Sequence, residues 1–261
     1  MGPSLVVVTG ASSGIGAATA RALARPGVRL VLVARRRSEL GAVAADVVAA
    51  GGTADVVPVD LRDHVAAAEA ARAVLADAGV PDVVVANAGH SIARGVLECV
   101  DRFDSLERTI DVNYLGAVAF VLPFLPGMVA RGRGHLVGVT TVNARIPIPG
   151  WSPYVSSKAA FDVWLRSVGP ELRPHGVSVS IVALPLVATP MSAPTYGPSP
   201  RHAMTAEQAA GWVIRAVRTG RPRVAPWWAR PAEVATAVAP TLSARLIAHG
   251  SLRRAPRTPE G

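Results

Sequence analysis

"LVVVTGASSGIG", residues 5–16, decides the fold. Its first five residues form a β-branched run with no polar alternation, the pattern of a strand buried on both faces. Gly10, Gly14 and Gly16 then mark a turn, and residues 14–25 read as a helix that stops near Pro26 and Gly27. Glycine carries no Cβ, so the backbone can turn tightly and a ligand can come close. The spacing is G-x-x-x-G-x-G, not the commoner G-x-G-x-x-G. A glycine-rich turn can serve structure alone. Directly after the first strand of an alternating chain, it points to a pyrophosphate held by the first-turn amides and the helix dipole. The candidate contacts are Gly10, Ser12, Ser13, Gly14, Ile15 and Gly16.

Outward from this turn the chain alternates. Strands are expected at 28–34 ("VRLVLVA"), 54–60 ("ADVVPVD"), 82–89 ("DVVVANAG"), 134–141 ("GHLVGVTT") and 177–184 ("VSVSIVAL"), with a short one at "RVAP". Helices are expected at 38–50, 63–78, 101–111, 113–131, 152–173 and 205–219. Strand and helix in repeated alternation need crossover connections, so the fold class is α/β: one doubly wound domain over residues 1–226, a parallel sheet of about seven strands with helices on both faces. Residues 186–204 contain "TPMSAPTYGPSP" and read as a mobile loop or lid. Residues 227–261 read as a helical C-terminal extension and a flexible basic tail. Core packing or a dimer contact is favoured for 227–249 over peripheral contact with a membrane.

Half of the 261 residues are hydrophobic, enough for a large core. The single cysteine, Cys99, cannot form an intrachain disulfide, so a reducing, cytoplasmic setting is expected. The first residues lack the basic and apolar regions of a secretion signal. The longest apolar stretch, 115–130, contains Pro123 and Pro126, so no uninterrupted run long enough for a membrane span is expected. The net charge of +9 comes from arginines spread along the chain rather than gathered in a stripe. That distribution argues against a nucleic-acid surface. It favours an anionic ligand such as a phosphorylated cofactor.

The second strand ends in "VARRR", where Ala34 is followed by Arg35, Arg36 and Arg37 and by no carboxylate. An acid at this point would bind adenosine ribose hydroxyls, whereas arginine complements a 2′-phosphate. The expected cofactor is therefore NADP(H) in preference to NAD(H); the competing reading is a solvated basic loop. Asp60, with Leu61 beside it, is placed to reach an adenine edge. Asn87, Ala88 and Gly89 are placed to line the cofactor cleft.

"YVSSK", residues 154–158, holds the only lysine in the chain. Tyr154 and Lys158 are four apart on an expected helix and so share a face. A free phenol titrates near ~10, too high for easy proton exchange at neutral pH. A neighbouring ammonium is expected to lower that value. Its compact point charge and rotatable donors suit the position better than the planar fork of arginine. The competing reading is a surface Tyr and Lys.

With these residues in view, the chain resembles a classical short-chain dehydrogenase/reductase over about residues 4–225. The resemblance rests on "TGASSGIG", "NAG", Asn113 in "DVNYLG", "YVSSK" and "PLVATPM". It implies a Rossmann-type domain in which Tyr154 is the general acid of carbonyl reduction and the base of alcohol oxidation, while Lys158 lowers its pKa and holds the nicotinamide ribose. It also implies that Thr141, where the family has serine, polarises the carbonyl, and that Asn113 supports a water relay to the lysine. Pro185, Val187 and Thr189 would sit beside the nicotinamide, with Leu186 replacing the family's glycine. The implied function is NADP(H)-dependent interconversion of a carbonyl and a secondary alcohol on a hydrophobic small molecule. Candidate pocket residues are His90, Ile146, Ile148, Trp151 and the 186–204 lid. A homo-oligomer through 113–131 and 152–173 is the family's habit. The alternative is a non-catalytic NADP-sensing regulatory protein, but a sensor has no need for a proton-transfer set.

Overall fold

The computed structural model describes residues 4–252. The expected tail beyond 252 lies outside the described residues. Seven strands form one parallel sheet: β1 (Leu5–Thr9), β2 (Arg29–Ala34), β3 (Thr53–Pro58), β4 (Val83–Ala86), β5 (Gly134–Thr141), β6 (Val177–Leu184) and β7 (Arg223–Val224). Their order in space is β3-β2-β1-β4-β5-β6-β7. Val7 pairs with Val31 on one side and Val84 on the other, which sets the register of the central strands.

All five residues of β1 are buried, as a strand covered on both faces must be. Alternate side chains serve opposite layers. Val6, Val8, Leu30 and Leu32 pack under α1 (Gly14–Leu23), α2 (Arg37–Ala49) and α7 (Ala206–Thr219). Val7, Val31, Val33, Val84 and Leu136 face the helices α3 (His64–Ala78), α4 (Asp104–Arg131) and α5 (Ser152–Leu172). Phe120, Phe124, Phe161 and Leu165 fill that second layer.

Two helices expected at 101–111 and 113–131 are one continuous rod, α4. A π-helical turn at Asp111–Leu115 joins its first part to the next, and a 3-10 turn at Leu122–Phe124 takes in Pro123. These adjustments absorb the prolines without ending the helix. By length and composition alone α4 could cross a membrane, contrary to the expectation drawn from its prolines. In the fold its apolar stripe of Phe120, Phe124 and Met128 is fully buried against the sheet.

Strands β3 and β4 end earlier than expected, so Asp60 and Asn87 to Gly89 lie on loops past the strand ends. The lid region is not wholly irregular. Met204 N–H donates to Leu186 O (2.9 Å) and Ala188 N–H to Met204 O (2.8 Å), which pins its two ends together around the short helix α6 (Ala193–Tyr196). The C-terminal extension forms α8 (Ala229–Val238) and α9 (Pro240–Leu252). Helix α8 buries Ala229 against Val142 and Ala183, so packing on the core is what this helix does.

Candidate active site

The strand order reverses between β1 and β4, and a crevice opens beyond their carboxyl ends. Here it is a cleft of about 770 Å³ that reaches from the glycine turn to Tyr154 and the lid.

The turn is built on Gly10 at φ +67° and Gly14 at φ +53°, in the left-handed region that glycine tolerates. A Cβ on Gly10 would lie 2.8 Å from Ala88 Cα, so the loop after β4 can close on it only because it is glycine. Gly16 is different from its expected role. It lies outside the cleft lining, and a Cβ there would overlap the Gly10 carbonyl; it lets helix α1 pack tightly on the turn. Ser13, the N-cap of α1, makes no side-chain cap, and no acid occupies the first turn. The first amides are therefore available to an anion. Thr9 Oγ1 accepts from the N–H of Asn87 (3.0 Å) and of Ala88 (2.9 Å), and Asn87 Nδ2 donates to Thr9 O (3.0 Å), which ties the two loops together.

Arg36 leans over this turn, donating to Ser13 Oγ (3.1 Å) and Ser12 Oγ (3.3 Å). Arg35 lies 3.8 Å from Asp60. Asp60 also accepts from the Arg62 side chain and backbone. Burial pushes the Asp60 carboxyl up, but the hydrogen bonds and charges of Arg62 and Arg35 outweigh it and hold the group below its ordinary value. The lining of this end thus fits a dinucleotide that carries extra negative charge: open amides, two arginines, and an acid already neutralised.

Tyr154 and Lys158 sit near the start of α5 and both face the cleft, with Thr141 at the end of β5 and Thr189, Pro185 and Val187 from the loop after β6. Lys158 is buried and its Nζ donates to Val139 O (3.0 Å). Burial pushes Lys158 down to about 8. Burial also pushes the Tyr154 phenol up to about 12; the Thr141 hydroxyl beside it pulls the other way, and Tyr196 adds to the rise. The expected acidification of the phenol by the ammonium is not what this geometry gives. Desolvation of the phenolate dominates, and the lysine's contact is a backbone carbonyl.

Asn113 is fully buried behind the cleft wall rather than lining it. Its Oδ1 accepts from His90 N–H (2.7 Å), and its Nδ2 donates to His90 O (2.8 Å) and Ser157 Oγ (2.8 Å). It fixes the loop carrying His90 to helix α5. His90, Ile148 and Trp151 line the cleft as expected. Ile146 does not: after β5 a 3-10 turn at Val142–Ala144 swings the chain, and Ile146 is buried away from the lining. Sequence reasoning missed Arg94, Arg108 and Asn143, which also line the cleft, while Tyr196 lines it from the expected lid. Arginines recur throughout this chain, so their type carried no signal.

The family model of short chain dehydrogenases matches residues 4–197. This chain belongs to the short-chain dehydrogenase family. It is an oxidoreductase of that family with the family's seven-stranded Rossmann sheet. A fatty acyl-CoA reductase of Acinetobacter baylyi is 36% identical over 250 residues, spanning 94% of this chain and 83% of that protein. A metagenomic short-chain oxidoreductase solved in complex with NADP is 33% identical, with a TM-score of 0.73 over 85% of this chain and 96% of the other. A short-chain dehydrogenase from Sphingobium yanoikuyae, solved in complex with NADPH, is 25% identical, with a TM-score of 0.77 over 98% of each chain. The last match takes in the C-terminal helices as well as the sheet. Neighbours of this dehydrogenase thus hold a nicotinamide cofactor, and the open glycine turn described above fits one.

Proposed function

We propose that this protein is an NADPH-dependent reductase of carbonyl groups on long apolar acyl or ketone substrates, with Tyr154 as the proton donor. One observation carries the reading. A single cleft joins an acid-free, arginine-flanked glycine turn at one end to the hydroxyls of Tyr154 and Thr141 at the other. Arg35 and Arg36 support NADP(H) over NAD(H), because a guanidinium complements a 2′-phosphate and no carboxylate ends β2 to bind a free ribose hydroxyl pair. Gly10, Gly14 and the first amides of α1 would hold the pyrophosphate, and Lys158 and Thr189 the nicotinamide end. When bound, the reduced cofactor supplies the hydride.

The chain's own residues supply the proton and the alignment. A phenol pushed up to about 12 is protonated at neutral pH but is a weaker acid than a free one, so its proton would pass only as hydride arrives and negative charge builds on the carbonyl oxygen. Thr141 Oγ1 accepts from Asn143 N–H (3.2 Å), and its hydroxyl proton, which faces the Tyr154 oxygen, can turn to the substrate oxygen on which charge develops. Ile92, Ile148, Trp151, Met191 and Pro194 make this end apolar, and the name of the Acinetobacter relative agrees with an acyl chain.

The test is NADPH oxidation with decanal, 2-decanone and decanoyl-CoA, run beside Tyr154→Phe. Turnover of at least one substrate is expected, with the variant slower by about 10²–10⁴-fold. NADPH binding without turnover by the wild type on any of them would overturn the reading and leave a nucleotide sensor. Equal affinity for NADH and NADPH would overturn the cofactor part.

A further inference from the structure

The loop between β4 and α4 brings Arg94 to the substrate end of the cleft. Arg94 N–H donates to Gly150 O (2.8 Å), and a bridge pairs Arg94 with Trp151. The Trp151 ring meets Tyr154 edge-on at 6.0 Å and stacks on Tyr196 of α6 at 5.7 Å with an interplanar angle of 4°. A flat aromatic surface therefore lies between the proton donor and the lid, and the backbone of Arg94, a residue of the cleft lining, pairs with that of Trp151.

The other cations lining the cleft are engaged. Arg62 and Arg35 face Asp60, Arg36 is 3.3 Å from Glu39, and Arg108 is 3.6 Å from Asp104. Lys158 holds Val139 O. Arg94 forms no ion pair among the described residues, and its Nε is shut off from solvent with no hydrogen-bond partner. The nearest acid along the chain, Glu98, accepts from Gly95 N–H at 2.6 Å instead. The guanidinium is partly buried, its Nε meets no partner, and its remaining N–H groups gain from an anion that replaces water at the cleft. Its planar fork matches a carboxylate or phosphate in two-point contact.

We propose that Arg94 binds an anionic group, carboxylate or phosphate, carried by the acyl substrate, whose chain lies along the Trp151–Tyr196 stack. This rests on the reductase reading above and deepens it: the substrate is an amphiphile with one charged end, not a neutral ketone.

The experiment compares three substrates of one chain length: decanal, an ω-oxo fatty acid and decanoyl-CoA. In Arg94→Gln the ratio of kcat/KM for an anionic substrate to that for decanal falls about ten- to hundredfold, mostly through KM. Arg94→Lys restores part of it. Loss confined to the ω-oxo acid identifies a carboxylate, and loss confined to decanoyl-CoA identifies the carrier's phosphates. Because the readout is a ratio within one variant, a partly unfolded preparation does not imitate it. Unchanged ratios for both anions overturn the proposal. Should the wild type reduce none of the three, the reductase reading fails on its own. Calorimetric titration of decanoyl-CoA and decanoate into the NADP⁺ complex then decides Arg94, and equal Kd values in wild type and Arg94→Gln overturn it.

Discussion

Tyr154 and Lys158 stand one helical turn apart, yet burial shifts them in opposite senses: the phenol up to about 12 and the ammonium down to about 8. Both shifts have one cause, since a low-dielectric wall disfavours whichever form is charged. The consequence for pH dependence follows from the sign. If reduction runs as proposed, it needs the phenol protonated, and a lysine that holds the cofactor end would act through its charge. As pH rises, the first of these to be lost is the lysine's proton, near 8. The expected profile of kcat/KM for carbonyl reduction is flat at neutral pH and falls above about 8. A profile that stays flat to about 10 would show that the lysine's charge plays no part in the chemistry. The hydroxyl on β5 has its own signature. Thr141→Ala is expected to lower kcat by about 10²–10³-fold, while Thr141→Ser, which keeps the donor, retains most of the rate. Equal losses in the two variants would mean that the methyl, not the hydroxyl, matters. Single-turnover kinetics with saturating NADPH reads both.

Strand β5 carries Thr141 at its carboxyl end and a buried histidine at the other. His135 Nε2 lies 2.8 Å from Ser180 Oγ on β6. Burial pushes its pKa down to about 4, although a contact with the Val217 carbonyl pulls the other way. The folded value is below the unfolded value of about 6.5. The unfolded chain therefore takes up a proton that the folded one refuses. Stability present at neutral pH is lost as pH falls from about 6.5 through about 4, by an amount on the order of 3 kcal/mol. His135→Gln should lose less Tm than the wild type between pH 7 and pH 4.5 in scanning calorimetry. Equal slopes would show that His135 protonates freely. The strand itself was legible from sequence: 134–141 and 177–184 were expected and found, because each is a short run rich in β-branched residues that opens at or just after a glycine. The glycine turn and the Tyr154–Lys158 face were legible for the same reason, since fixed spacing on one element survives folding. What escaped depended on packing between distant segments. The π-turn that keeps α4 whole is locked by Asn113 reaching His90 and Ser157, contacts invisible in a linear pattern. The direction of the Tyr154 shift was misjudged because helical spacing supplies proximity to Lys158 but says nothing of how far the phenol is desolvated.

At the scale of the molecule, two surfaces go beyond the cleft. Leu115 and Leu122 on α4 and Val163 on α5 are 40%, 49% and 50% exposed, an apolar face on the two helices through which a homo-oligomer is proposed. Leu122→Glu should shift the species seen by light scattering toward the monomer; an unchanged mass would place the interface elsewhere. The C-terminal extension acts inward. Glu233 of α8 pairs with Arg223 of β7 and lies 3.7 Å from Arg145, which itself donates to the buried Asp162 of α5 (2.9 Å). Thr236 Oγ1 adds a contact to Arg145 O at 3.5 Å. One acid thus joins the extension to the turn that follows Thr141, with both partners largely out of solvent. Removing it takes from Arg223 the one acid it pairs with among the described residues and leaves Arg145 to share Asp162 with Arg166. Glu233→Gln is expected to cost on the order of 2–3 kcal/mol, roughly 5–10 °C in Tm for a chain of this size. If α8 only covers surface, as a solvated appendage would, the variant melts with the wild type. If the tether also sets the catalytic turn, kcat falls at temperatures well below the new Tm while KM for NADPH holds, because the glycine turn lies at the far end of the cleft.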